Sequence, residues 1–206
     1  MPTGAKAQRQ TYERIVDFAQ RHGIVVVNDN PYSLILNEHP ISILQVEGAK
    51  ECCIEFNSMS KSQTMPGWRV GWIGSNAQFI QWILKVKSNV DSGMFRPLQL
   101  AAVEALAQGP EWFAELNDMY RSRRIAAEKI FDYIGAKYSR TSQGLFLWGK
   151  VGPDAEKISD KILYEAGVFI TPGFIFGRNG SQYLRISLCA DVEVFEEALA
   201  RIKEVI

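Results

Sequence analysis

The sequence predicts an α/β protein: a mostly parallel sheet with one antiparallel strand, joined to a small α+β unit. A short, continuous β-branched run, Ile24–Asn28, and a second strand-like run, Cys53–Asn57, sit among amphipathic helical stretches. That is the signature of strands buried on both faces. Twelve residues rich in Ser, Gly and Pro separate the second run from a third at 70–74. A connection that short barely admits a helical crossover, so the third strand is expected to run antiparallel. Beyond residue 110 the order becomes long helix, strand, helix, two strands and helix, which is an α+β arrangement. The division places 1–109 in one unit and 110–206 in the other.

Each element has a local reason. Residues 5–22 read as an amphipathic helix with Tyr12, Ile15, Phe18 and Ala19 on one side, stopped by Gly23. The first strand, 24–28, runs into the turn Asp29-Asn30-Pro31-Tyr32. The second strand runs into a polar segment around Lys61. A helix over 76–90 is broken by Asp91-Ser92-Gly93, and Pro97 opens the next, which extends to about Gln108. The long helix, 110–134, carries Trp112, Leu116, Met119, Tyr120, Ala127, Ile130, Phe131 and Ile134 on its buried stripe. Strand 144–150, helix 154–166, strands 168–171 and 182–188 and helix 191–205 complete the chain.

Composition narrows the function. Of 206 residues, 47% are apolar, enough for a proper core, and 23 basic residues balance 23 acidic ones. No basic face points to nucleic acid, and no stretch approaches a membrane span or a secretory signal. Three cysteines show neither metal spacing nor a disulfide framework, so a cytoplasmic protein is expected. His22 and His39 carry no partner pattern.

The chemistry gathers in Ser58-Met59-Ser60-Lys61-Ser62-Gln63-Thr64-Met65-Pro66-Gly67-Trp68-Arg69-Val70-Gly71-Trp72. One lysine stands among small hydroxyl residues, and an arginine follows eight positions later on a glycine-flanked turn. A lysine in a confined site can lose a proton and form an imine. Hydroxyls and a permanently charged guanidinium suit a phosphate, which selects Ser58, Ser60 and Arg69. Imine and phosphate clamp together are the protein's share of a pyridoxal 5′-phosphate site. Asp29 and Lys61 both lie just past the carboxyl end of a parallel strand, the edge where open α/β sheets bind ligands. A carboxylate there can keep a pyridinium nitrogen protonated, and Tyr32 can donate its phenol to the cofactor's ring oxygen. On residue type alone, Asp29 also suits a turn, Tyr32 a packed loop aromatic and Ser60 a cap. Arg185, alone among apolar neighbours in Gln182–Leu188, suits a substrate carboxylate or a structural ion pair.

Ser58–Gly71 resembles the Schiff-base lysine pattern S-x-S-K-x(7)-R-x-G of class I/II aminotransferases. Asp29 and Tyr32 resemble that family's D-x-x-Y, and Pro172–Gly177 resembles its P-G-x-x-F-G turn. The segment Ile41–Lys50, running on into the lysine motif, is most similar to the branch with LL-diaminopimelate and alanine-type enzymes. The resemblance implies fold type I, with Lys61, Asp29 and Tyr32 as catalytic residues and Arg185 holding the substrate's carboxylate. It implies transfer between an amino acid and a 2-oxo acid, in a homodimer. A carbon–sulfur lyase of the same fold, or a catalytically silent assembly module, remain alternatives. Met1-Pro2-Thr3-Gly4 resembles the family's N-P-T-G turn, which lies well inside other members. Met1 takes the place of an asparagine that hydrogen-bonds the cofactor. These residues are therefore expected to be the family's C-terminal half, and on their own to bind cofactor weakly and self-associate through open strand edges.

Overall fold

The computed structural model describes residues 1–206. They form two compact units: Ala7–Phe113, and Met1–Lys6 together with Ala114–Ile206.

In the first unit, α1 (Arg9–His22) ends on Gly23, which adopts the left-handed conformation at φ 61° while the Ile24 N–H reaches back to the Ala19 carbonyl at 2.9 Å. The helix buries Tyr12, Val16 and Ala19. Ile15 and Phe18, expected on that side, are 36% and 50% exposed. They lie about 100° of helical rotation from Val16 and Ala19 respectively, and the sheet accepts only the narrower stripe.

The sheet beneath α1 has the order β1-β2-β3. Strand β1 (Val26–Asp29) pairs in parallel with β2 (Cys53–Ser58), from Val26 opposite Cys53 to Asp29 opposite Phe56. Strand β3 (Gly71–Gly74) runs antiparallel to β2, as the short connection demands. The face toward α1 is closed by Tyr12, Val16 and Ala19 with Ile43, Val46, Ala49, Cys52 and Cys53. The opposite face corrects the reading of β1 as buried on both sides, because Val25 and Val27 are 49% and 52% exposed. β-branched runs show what a strand is suited to, and in these residues only one side of it is covered.

Cys52 and Cys53 are buried with their sulfurs 3.7 Å apart, whereas Cys189 is exposed. Burial, then the contact with Cys52, pushes the Cys53 thiol up to about 12. The protonated thiol is the form suited to the fold. Its stabilising contribution is therefore complete below about pH 8.5, the ordinary thiol value, and is lost as pH rises toward 12. A thiol reagent at neutral pH is expected to label Cys189 in the native chain and all three cysteines after denaturation. Native labelling of Cys53 would contradict this burial.

Three helical segments follow in this unit. The lysine segment forms a single turn, α2 (Met59–Ser62). Helix α3 (Ala77–Val90) starts at Asn76, whose side-chain oxygen accepts the Phe79 N–H at 2.8 Å. It buries only Phe79, and Trp82, Leu84, Val86 and Val90 are exposed. Helix α4 (Arg96–Leu106) has Pro97 in its first turn and lays Leu98, Ala102 and Ala105 on Met59 and Val70.

In the second unit a four-stranded antiparallel sheet has the order β4-β5-β7-β6: Lys137–Tyr138, Phe146–Lys150, Tyr183–Ser187 and Thr171–Pro172. The two-residue β4 is too short to leave a periodic signal, and the strand expected over 168–171 contracts to Thr171–Pro172. Helices α5 (Pro110–Tyr133), α6 (Ala155–Ala166) and α7 (Val192–Lys203) supply the remaining layer. Phe131, Ile130, Leu147, Ile162, Leu184, Leu188 and Ile202 form its fully buried centre. On the α5 stripe Leu116, Tyr120, Ala127, Ile130 and Phe131 are buried, while Trp112, Met119 and Ile134 are only half-buried. The Pro2–Gly4 turn belongs here: the Gly4 carbonyl accepts the Gln143 N–H at 2.8 Å. No helix is long and apolar enough to cross a membrane, and no cluster of His, Cys, Asp or Glu could hold a metal ion.

Candidate functional site

Parallel pairing of β1 and β2 sets two chain ends side by side. Asp29 is the last residue of β1 and lies opposite Phe56. Two residues beyond Phe56, Ser58 ends β2 and caps α2, accepting the Ser60 N–H on its hydroxyl at 3.2 Å. The Asn30 N–H continues the ladder to the Phe56 carbonyl at 2.9 Å. Side chains alternate along a strand, so Val27, Asp29, Phe56 and Ser58 share the open face and Asn28 and Glu55 share the face toward α1. The open side of this sheet is therefore the side that carries the polar strand ends.

Lys61 sits in the α2 turn, half-buried, with its Nζ 5.7 Å from the centre of the Tyr32 ring. That is within reach of an ammonium–aromatic attraction. Tyr32 comes from the turn after β1, so the strand pairing brings Asp29, Tyr32 and Lys61 to one edge. Trp112 braces α2 from outside, donating its indole N–H to the Ser62 carbonyl at 3.1 Å.

Arg69 occupies the left-handed region at φ 56° and ψ 44°, which costs a residue with a Cβ roughly 1–2 kcal/mol. Thr64, earlier in the same loop, also has φ 51°. Strain of this kind collects at functional sites. The bend lets the Arg69 guanidinium donate to the Pro66 carbonyl at 2.9 Å and to the Ser60 hydroxyl at 3.4 Å. Ser58, Ser60 and Arg69 are thereby grouped beside Lys61. The glycine of R-x-G also has a steric origin, since a Cβ on Gly71 would lie 2.7 Å from the Asn57 carbonyl oxygen where β3 meets β2.

Arg185 belongs to the other unit, on β7 opposite Trp148 of β5 and Thr171 of β6. Its guanidinium lies 4.3 Å from the Phe146 ring centre and 4.5 Å from that of Phe176.

One important residue escaped the sequence reading. Glu55, only 3% exposed, accepts hydrogen bonds on one carboxylate oxygen from the Asn28 amide (2.9 Å), the Ser42 hydroxyl (2.9 Å) and the Ile43 N–H (3.1 Å). Asn28 also approaches the Tyr12 hydroxyl at 3.4 Å. The network ties the residue preceding Asp29 to the strand that leads to Lys61. The available signal was a lone acid inside an apolar strand run, since buried acids are almost always paired.

Arg69→Asn tests the loop. Asparagine tolerates the left-handed conformation, so the fold should hold within about 1 kcal/mol, while loss of a charge-assisted clamp worth about 1.5–3 kcal/mol weakens phosphate-dependent binding at least about tenfold. Thermal unfolding and titration with pyridoxal phosphate read the two effects separately.

Comparison with known proteins identifies one family. The profile of "Aminotransferase class I and II" matches residues 1–202. An LL-diaminopimelate aminotransferase of Nitratidesulfovibrio vulgaris is 39% identical over 98% of this chain and 53% of its own length. One from Aquifex aeolicus is also 39% identical, with the same coverage of both chains. The chain thus spans about half the length of the curated relatives it matches. Among solved structures, apo-BacF from Bacillus subtilis superposes with a TM-score of 0.91 at 32% identity, over 100% of this chain and 54% of that one. An aromatic aminotransferase from Pyrococcus horikoshii gives 0.88 at 29% identity, over 99% and 57%. The branch expected from Ile41–Lys50 and the α/β fold both agree with these relatives. The match runs from the Pro2–Gly4 turn into α7, and the protein belongs to the class I and II aminotransferase family.

Proposed function

We propose that this chain forms part of a pyridoxal phosphate-dependent aminotransferase that moves an amino group between an amino acid and a 2-oxo acid. The reading rests on one observation: Lys61 and Tyr32 lie 5.7 Å apart at the strand-end edge that also holds Asp29, Ser58, Ser60 and Arg69. The names of its relatives favour LL-diaminopimelate as the amino donor.

The residues fit the cofactor. The Ser58 hydroxyl already accepts from Ser60, which leaves its own proton to donate. Arg69 has five N–H donors, of which its two hydrogen bonds here engage Nη1 alone. These groups hold the phosphate. Bound pyridoxal phosphate supplies an electron sink for the substrate's α-carbon. The Asp29 carboxylate keeps the ring nitrogen protonated, and the Tyr32 phenol donates to the ring oxygen. Lys61 would hold the cofactor through its Nζ, and the same Nζ would move a proton at the substrate's α-carbon. Arg185 takes the substrate's carboxylate. A cytoplasmic homodimer completes the reading. Three free cysteines support the compartment, and the exposed apolar stripe Trp82, Val86 and Val90 supports a covered surface.

The test is visible absorbance of the purified chain with pyridoxal phosphate, before and after borohydride, beside Lys61→Ala. The expected result is a yellow band in the wild type that borohydride fixes covalently, and none in the variant. A band that borohydride fixes equally in both proteins would refute the role of Lys61, and no band in either would show that these residues alone do not assemble the site.

A further inference from the structure

The Arg185 face of the second unit's sheet is built from rings. Alternation places Tyr183 and Arg185 on one side of β7, and Leu184 and Ile186 on the other, where they enter the core. Across the pairing, Trp148 stands opposite Arg185, and Phe146 sits two residues along β5 on the same face. Trp148 stacks on Tyr183 with centres 5.0 Å apart and planes 6° apart, and meets Phe176 edge-on at 5.7 Å and 80°. Phe146 and Phe176 then contact the guanidinium itself. The two rings come from different elements. Phe146 is fixed by the strand ladder, and Phe176 by a tight turn, Gly173–Phe176, that returns against Gly180.

A guanidinium is flat, poorly hydrated on its faces and carries all its donors in its plane. Rings on the faces leave those donors usable, remove competing water and fix the plane. A carboxylate needs two parallel N–H groups in that plane. We propose that Phe146 and Phe176 are positioning residues that orient Arg185 to receive the substrate's carboxylate edge-on. This rests on the carboxylate role assigned to Arg185 above, and Tyr183 and Trp148 act one step behind by bracing Phe176.

The test uses the full 206-residue chain, titrated with propionate, a carboxylate with no reactive carbonyl. The readout is the NMR signals of the Arg185 side chain, whose positions also register the adjacent ring faces. Phe146→Leu and Phe176→Leu keep apolar bulk and remove the ring. Phe146→Tyr and Phe176→Tyr keep the ring. The leucine variants are expected to bind propionate about 5- to 10-fold more weakly, scaled to a ring–cation contact of about 1 kcal/mol, and to shift the Arg185 signals toward those of a solvated arginine. The tyrosine variants should stay within about twofold of wild type, a rescue that loss of packing alone does not predict. Leucine variants that bind like wild type, where Arg185→Ala does not bind, would overturn the positioning role and leave the carboxylate role standing. Wild type binding no better than Arg185→Ala would overturn both.

Discussion

Glu55→Ala is expected to destabilise the chain by about 3 kcal/mol or more, the scale for removing a buried charged acceptor from its donors. One oxygen of Glu55 receives three donors, from Asn28, Ser42 and Ile43. Alanine strands all three in a site that is 3% exposed. The Ser42 hydroxyl would still accept the Leu44 N–H at 3.1 Å, but its own proton would lose its acceptor. Burial and the charge of Glu55 both push the Tyr12 phenol upward, against the Asn28 hydrogen bond, so Tyr12 stays neutral and cannot replace the acid. Glu55→Gln keeps a carbonyl acceptor and loses the charge, and should cost about 1 kcal/mol, the worth of an ordinary hydrogen bond. Urea unfolding measures both, and an alanine variant within about 0.5 kcal/mol of wild type, the range of a neutral surface change, would refute the network's weight. Because Asn28 precedes Asp29, cofactor binding should weaken in Glu55→Ala even where the fold persists.

That network shows where sequence reading stops. The strands, the antiparallel third strand, the stop at Gly23 and the adjacency of Asp29 and Lys61 follow from local rules: apolar runs, short connections, glycine after a helix and strand ends in α/β sheets. The family pattern named Ser58, Ser60 and Arg69, and local geometry explains their grouping through the left-handed bend at Arg69. What remained hidden depends on contacts between distant segments. Glu55 meets Ser42 only because the Ile43–Gln45 turn folds back over β2. Ile15 and Phe18 have the same apolarity as Val16 and Ala19, yet the sheet covers one stripe of α1 and leaves the other. Val25 and Val27 are coded like core residues and lie on the uncovered face. Composition and period report what a side chain tolerates, and only packing reports what arrives to cover it.

The same limit applies to glycine, and it makes Gly173→Ala the second large expected effect. A methyl there would lie 2.3 Å from the Gly180 carbonyl oxygen, 2.7 Å from the Tyr183 carbonyl oxygen and 2.7 Å from the Trp148 ring. At Gly180 it would lie 2.1 Å from the Gly173 carbonyl oxygen. Two of the three obstacles at Gly173 are backbone, so no rotamer change relieves them, and the turn itself must move. Overpacking of this kind costs about 1–3 kcal/mol, and a backbone-on-backbone clash belongs at the upper end. Each single alanine should therefore lower stability by about 2–3 kcal/mol. The double variant should cost less than the sum, because once the turns have parted the second methyl meets a contact already broken. Gly67→Ala is the control: a methyl there has nothing within 4 Å and no positive φ, and should be neutral or stabilising by a few tenths of a kcal/mol, roughly the unfolded-state entropy it removes. Thermal unfolding of the four variants beside wild type decides the matter, and strictly additive or negligible losses at Gly173 and Gly180 would show that the turn yields freely. The displaced turn carries Phe176, so Gly173→Ala should also release the Phe176 ring from Arg185 while Phe146, held by the β5 ladder, keeps its contact.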